Sequence, residues 1–118
     1  MYSERLLDYF RNPKYAGILQ APARVVHLEN PACGDILRLT ALVEDGVVRQ
    51  AAFQVRGCTA SIACGAALAE WLQGRSLDDV RLADVAGIVE GLVGGLAAES
   101  KHAAKLMADA ARRLGEGG

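Results

Sequence analysis

Four side chains with metal-binding chemistry stand at turns or at the starts of elements: Cys33, Asp35, Cys58 and His102. Two thiolates, a carboxylate and a neutral imidazole make a set of S, S, O and N donors. That set suits tetrahedral zinc, and the same thiolates are the usual anchors of iron–sulfur clusters. Cys33 and Asp35 share the stretch Asn30-Pro31-Ala32-Cys33-Gly34-Asp35, whose glycine leaves the backbone free to wrap a metal. Cys58 follows Arg56-Gly57 and opens an Ala/Leu-rich run that reaches Gly74. At a helix N-terminus, unpaired N–H groups and the helix dipole stabilise a thiolate. The same dipole disfavours an imidazolium at His102, near the start of the last helix, and the neutral ring is the metal-binding form.

Each residue also has a blander reading. Cys33 reads as a buried loop thiol beside a turn aspartate, Cys58 as a small hydrophobe at a tight turn, and His102 as a solvated first-turn histidine. The ligands are scattered rather than paired in Cys-x-x-Cys knuckles, so their spacing alone is a weak signal. Cys64 comes six positions after Cys58 (64 − 58), well around a helix that turns about 100° per residue. It is expected to pack rather than to share a metal with Cys58. His27 reads as a strand surface residue. The sequence contains no glycine-rich phosphate loop, no paired-carboxylate motif and no local Cys–His nucleophile–base pair.

The elements that must position these residues follow from periodicity. Ser3–Arg11 is a short amphipathic helix, capped by Ser3, with Leu6, Leu7 and Phe10 as its apolar stripe and Asn12-Pro13 as its stop. Arg24–Glu29 reads as a strand, and Asn30–Asp35 as a loop or bulge. Ile36–Val43 is a clearer strand with Leu37, Leu39, Ala41 and Val43 on one face. Glu44-Asp45-Gly46 signals a hairpin, and Val47–Arg56 returns with Ala51, Phe53 and Val55 inward. Thr59–Leu72 is a helix with Ile62, Ala66, Ala69 and Leu72 as its stripe, closed at Gly74. Ser76 and Asp79 resemble a capping box. Leu77, Val80, Leu82, Val85, Ile88, Val89 and Leu92 continue at helical spacing up to the break at Gly94-Gly95. The last helix runs from about Ser100 to about Leu114, burying Ala103, Leu106, Met107 and Ala110. Strands first and helices after indicate an α+β fold with a small three-stranded antiparallel sheet.

The totals narrow the function classes. The 118 residues suit one domain, and 52% hydrophobic content gives it a core built from Ala, Val and Leu, since only 5% of residues are aromatic. Thirteen basic against 14 acidic residues offer no excess for nucleic acid or an anionic membrane surface. No apolar run approaches the roughly 20 residues of a membrane-spanning helix, and Met1–Arg5 lacks the features of a signal peptide. The expectation is a cytoplasmic protein in a reducing compartment, where three cysteines indicate metal binding, thiol chemistry or burial rather than disulfides.

These residues resemble the U-type iron–sulfur cluster assembly scaffold family, the IscU, SufU and NifU N-terminal group, over nearly the whole chain. The resemblance rests on Tyr2-Ser3-Glu4-Arg5-Leu6-Leu7-Asp8-Tyr9-Phe10-Arg11-Asn12-Pro13, on Pro31-Ala32-Cys33-Gly34-Asp35, on Arg56-Gly57-Cys58 with Ala60-Ser61-Ile62-Ala63 and Glu70-Trp71, and on Lys101-His102. It implies a single domain over residues 1–118, with a three-stranded antiparallel sheet packed by helices and the site at one exposed end. It implies a non-enzymatic scaffold on which a labile cluster, 2Fe-2S in the first instance, is built from iron and from sulfur delivered by a cysteine desulfurase, then passed to apo iron–sulfur proteins. Zinc is implied as an alternative occupant. Cys33 and Cys58 would be thiolate ligands, His102 a nearby ligand, and Asp35 a ligand or a group that keeps the cluster labile. A homo-oligomer is compatible with this reading.

Two departures stand out. The family carries a third cysteine directly after this histidine, and here the position is Ala103. The Leu-Pro-Pro-Val-Lys segment that many members use to recruit a chaperone is replaced by Gly94-Gly95-Leu96-Ala97-Ala98-Glu99-Ser100-Lys101. Three readings follow: a cluster scaffold or carrier, a zinc-bound sulfur acceptor that activates a desulfurase, and a non-catalytic regulatory paralogue.

Overall fold

The computed structural model describes residues 2–31 and 34–117. Its elements are α1 (Glu4–Arg11), β1 (Arg24–Asn30), β2 (Asp35–Glu44), β3 (Val47–Arg56), α2 (Thr59–Leu72), α3 (Leu77–Leu82), α4 (Val85–Leu92), a 3₁₀ turn (Ala98–Ser100) and α5 (Lys101–Gly115). The strands form one antiparallel sheet in the order β1-β2-β3, as the α+β reading expects.

Register follows the hydrophobic alternation, because a one-residue slip would turn every core side chain to the other face. Val26, Leu39 and Phe53 align across the three strands, as do Leu28, Leu37 and Val55. The β2–β3 connection is a two-residue turn, Asp45-Gly46, in which both residues have positive φ (53° and 73°). That geometry matches the twist of the flanking strands. The free edge of β3 is covered. Phe53 exchanges backbone hydrogen bonds with Tyr15 and Gly17 (3.0 and 2.8 Å). The Gln73 amide donates to Ala51 O at 2.8 Å and accepts from Ala51 N at 3.2 Å, so one side chain fills a strand's place.

The helices pack on the face of the sheet that carries Leu37 and Leu39. Ten of the 14 residues of α2 are buried, so it is covered on most sides and not merely along the expected stripe; Ile62 is half-exposed. Close approach to β3 depends on Gly65, where an added Cβ would sit 2.8 Å from Phe53 and 2.9 Å from Val55. Ser3 caps α1 by accepting from Leu6 N, as expected. Only Leu6 of the expected stripe is buried; Phe10 is exposed, and Tyr9 packs on the core instead, its hydroxyl donating to Glu70 of α2. A helix of two turns meets its neighbour along a narrow strip, which explains the difference.

Asp84 divides the apolar series after Gly74 by capping α4 through Gly87 N, and Leu82 ends α3 in solvent at 87% exposure. Of the capping box read at Ser76 and Asp79, the Ser76 half forms, its hydroxyl accepting from Asp79 N. Arg24 of β1 donates to Leu114 O and Arg81 of α3 to Gly115 O, both at 3.0 Å. These two bonds hold the far end of α5, while Lys101 pairs with Glu90 at 3.0 Å to tie its start to α4. Among the described residues, no helix is long and apolar enough to cross a membrane.

Candidate metal centre

The first residue of β2, the N-cap of α2 and the second residue of α5 meet at one end of the sheet. Asp35, Cys58 and His102 each offer a ligand atom there, and the three atoms lie within 4.8 Å of one another. Asp35 belongs to the strand rather than to the loop that the sequence reading gave it: it pairs with Asn30, and Gly34 (φ 73°) donates its N–H to Asn30 O at 2.7 Å. Cys33 lies outside the described residues.

Cys58 is the N-cap of α2 in extended conformation (φ −74°, ψ 169°), and its side chain makes no cap hydrogen bond. Its thiol is exposed at the N-terminus of the helix. Sγ lies 3.9 Å from His102 Nε2 and 3.3 Å from Ser61 Oγ.

His102 is aimed by its own backbone neighbour. Nδ1 lies 3.0 Å from Glu99 O, and a carbonyl only accepts, so Nδ1 carries the hydrogen. Nε2 is then the nitrogen turned toward Asp35 Oδ2, at 3.3 Å. A backbone carbonyl that fixes the tautomer of a ligating histidine is the usual outer-shell arrangement at metal sites. Nε2 faces both Asp35 Oδ2 and Cys58 Sγ, and a cation among the three donors would satisfy all of them.

Asp35 is 2% exposed, and a buried carboxylate requires partners. Ser61 Oγ donates to Oδ2 at 2.6 Å, in the range of a charge-assisted bond. The other oxygen lies against Gly57, where an added Cβ would sit 2.3 Å from Oδ1. Gly57 is thus a residue of close approach: only a bare Cα leaves room for the carboxylate.

Two residues without an assigned role in the sequence reading therefore shape the site, Ser61 and Gly57. The signal for Ser61 was present in its spacing, three residues after the N-cap, where a side chain faces back to the cap. Nothing local to Gly57 reveals its contact, which is with a residue of another strand.

Cys64 is fully buried in the core. Burial first, then the nearness of Cys58, pushes its thiol up to about 12 from an ordinary 9.0. It packs, as its helical offset predicts. Ala103 is likewise fully buried among core residues. His27 lies exposed on β1.

Residues 1–114 match the family described as NifU-like N terminal domain. The chain belongs to that family. This NifU-like chain is 33% identical over 113 residues to the iron-sulfur cluster assembly scaffold protein IscU 1 of Archaeoglobus fulgidus, which covers 96% of the chain and 73% of the relative. It is 34% identical over 95 residues to the scaffold protein IscU of Escherichia coli strain K12, covering 77% of the chain and 74% of that protein. Its NifU-like architecture is seen in the crystal structure of a nitrogen-fixing NifU-like protein (N-terminal) from Brucella abortus. There the TM-score is 0.65 at 25% identity, with 95% of the chain and 78% of that structure covered.

Proposed function

We propose that the chain is an iron–sulfur cluster assembly scaffold, a non-enzymatic single domain that holds a labile cluster at Cys33, Asp35, Cys58 and His102 and passes it to apo-proteins. The observation that carries this reading is the convergence of Asp35, Cys58 and His102 within 4.8 Å at one end of the sheet, in a chain whose relatives carry that function in their names. Iron and sulfide are the cargo, and a 2Fe-2S cluster is the form proposed.

The chain's own residues supply position and access. Glu99 O orients the imidazole and Ser61 orients the carboxylate. Cys58 stands exposed at the sheet's end, where a partner's sulfur or an acceptor's thiol can reach it. A cysteine desulfurase as sulfur donor and apo iron–sulfur proteins as acceptors are the partners that such a cargo requires.

A zinc-bound sulfur acceptor is the second reading. The donor set supports it, since a thiolate, an imidazole and a carboxylate within that span suit a single tetrahedral ion. Anaerobic reconstitution with iron, sulfide and a desulfurase separates the two. The scaffold reading expects visible sulfur-to-iron charge-transfer bands that vanish in a Cys33→Ser/Cys58→Ser double variant and decay as an added apo-protein gains its cluster. A colourless product that retains zinc would select the second reading.

A further inference from the structure

We infer that Glu90 is a positioning residue for His102: from the last turn of α4 it fastens both ends of the segment 95–101 and so holds the imidazole at the metal centre. The inference rests on the metal-binding reading of this site. The segment has reason to move. It reads Gly95-Leu96-Ala97-Ala98-Glu99-Ser100-Lys101, directly after Gly94, with no proline to stiffen it. Gly94 and Gly95 both have positive φ (78° and 98°), and Ala97, Ala98 and Glu99 are exposed. Yet Glu99 O is the atom that meets His102 Nδ1 at 3.0 Å. Drift of the segment is therefore drift of the ring's support.

Glu90 meets the segment three times. α4 closes in a Schellman motif, in which Gly94 N–H donates to Gly91 O at 3.1 Å and Gly95 N–H to Glu90 O at 2.8 Å. The Glu90 carboxylate accepts from Leu96 N–H, the next donor along. It also accepts from Lys101 Nζ at 3.0 Å, across the far end of the segment. One residue thus binds positions 95, 96 and 101, and the 3₁₀ turn that carries Glu99 O lies between them. Its neighbours Val89 and Val93 are fully buried, so α4 is a fixed base. An exposed ion pair alone is worth little. Here it shares its carboxylate with a backbone N–H, and its lysine directly precedes His102, so it also fixes the first turn of α5 on which the imidazole stands. A ring held in place before metal arrives spares binding the cost of ordering it.

The test uses the full chain in two measurements: amide hydrogen exchange of the metal-free protein, and anaerobic titration with cobalt(II) alone against a competing chelator. In Glu90→Ala, amides of residues 96–101 are expected to exchange faster while those of the sheet keep their protection. Cobalt affinity is expected to fall about fivefold, the upper worth of such a pair. Glu90→Gln keeps an acceptor for Leu96 N–H and for Lys101, and is expected to stay within about twofold of wild type. In a His102→Ala background, Glu90→Ala is expected to change affinity less than about twofold, since the ring it serves is gone. Unchanged exchange in residues 96–101, or wild-type cobalt affinity in Glu90→Ala, would overturn the role of Glu90 alone. An equal loss with and without His102 would do the same, because it would mark a general effect on the fold. Wild-type protein that takes up no cobalt would overturn the role of Glu90 together with the metal-binding reading.

Discussion

His102 Nε2 lies 3.3 Å from Asp35 Oδ2, which joins the start of α5 to the first residue of β2. The contact places an aromatic nitrogen on a carboxylate that is 2% exposed. Removing His102 takes one neighbour from the buried carboxylate, which keeps the Ser61 hydroxyl. His102→Ala is expected to lower zinc affinity by at least about tenfold through loss of a ligand, and to change stability by less than about 1 kcal/mol, since Asp35 keeps the Ser61 hydroxyl. Competition with a chromophoric chelator and a denaturant melt measure the two effects separately. Zinc binding of wild-type strength in this variant would remove His102 from the site.

Two glycines separate site from scaffold. An added Cβ at Gly57 meets Asp35 Oδ1 at 2.3 Å, whereas one at Gly65 meets Phe53 and Val55 at 2.8 and 2.9 Å. Overpacking of a close-packed interior costs about 1–3 kcal/mol. Gly65→Ala is expected to lower stability by that amount with little change in metal affinity per folded molecule. Gly57→Ala is expected to weaken metal binding by displacing the carboxylate. If the two variants behave alike in both assays, Gly57 has no special relation to Asp35.

The two described cysteines differ in reach. Cys58 is exposed at a helix N-terminus, while Cys64 is fully buried with its thiol pushed up to about 12. In native metal-free protein, an alkylating reagent at pH 8 is expected to modify Cys58 and to leave Cys64 untouched until the chain unfolds. Peptide mapping of the labelled sites decides this. Rapid native labelling of Cys64 would contradict its place in the core.

Alkaline pH acts on the same thiol. Burial holds Cys64 at about 12 against an ordinary 9.0, and Tyr9 stands at about 12 against 10.0, through burial and its bond to Glu70. Both groups are raised in the folded chain, so the stability they contribute is complete below pH 9 and is lost as pH climbs toward 12. Unfolding free energy is expected to fall across that window, and less steeply in Cys64→Val, which fills similar space without a titrating group. An equal slope in the variant would show that Cys64 does not drive the loss.

Much of this architecture was legible in residue order. Alternation in Leu37–Ala41 and Ala51–Phe53, the Asp45-Gly46 turn, and the caps at Ser3 and Ser76 are local signals, and each operates as read. The Cys58 hinge and the first-turn place of His102 were legible for the same reason. The exposure of Phe10 and Leu82 was not, because periodicity marks a face without saying how much of it a short helix can press on a neighbour. Asp35 as a strand residue depends on its pairing with Asn30 of β1, and the pressure of Gly57 on it depends on β2–β3 pairing across the hairpin. The Ser61 bridge needs the same fold, since one of its partners is a strand away. Side chains that meet across elements leave little trace in local spacing.

Metal and sulfide analysis of protein purified without oxygen tests the central claim most directly. The account predicts iron with acid-labile sulfide, or a single zinc per chain in its absence, in wild-type protein, and loss of that occupant in Asp35→Ala, Cys58→Ser and His102→Ala alike. Wild-type protein free of metal, or metal undiminished across the three variants, would contradict it.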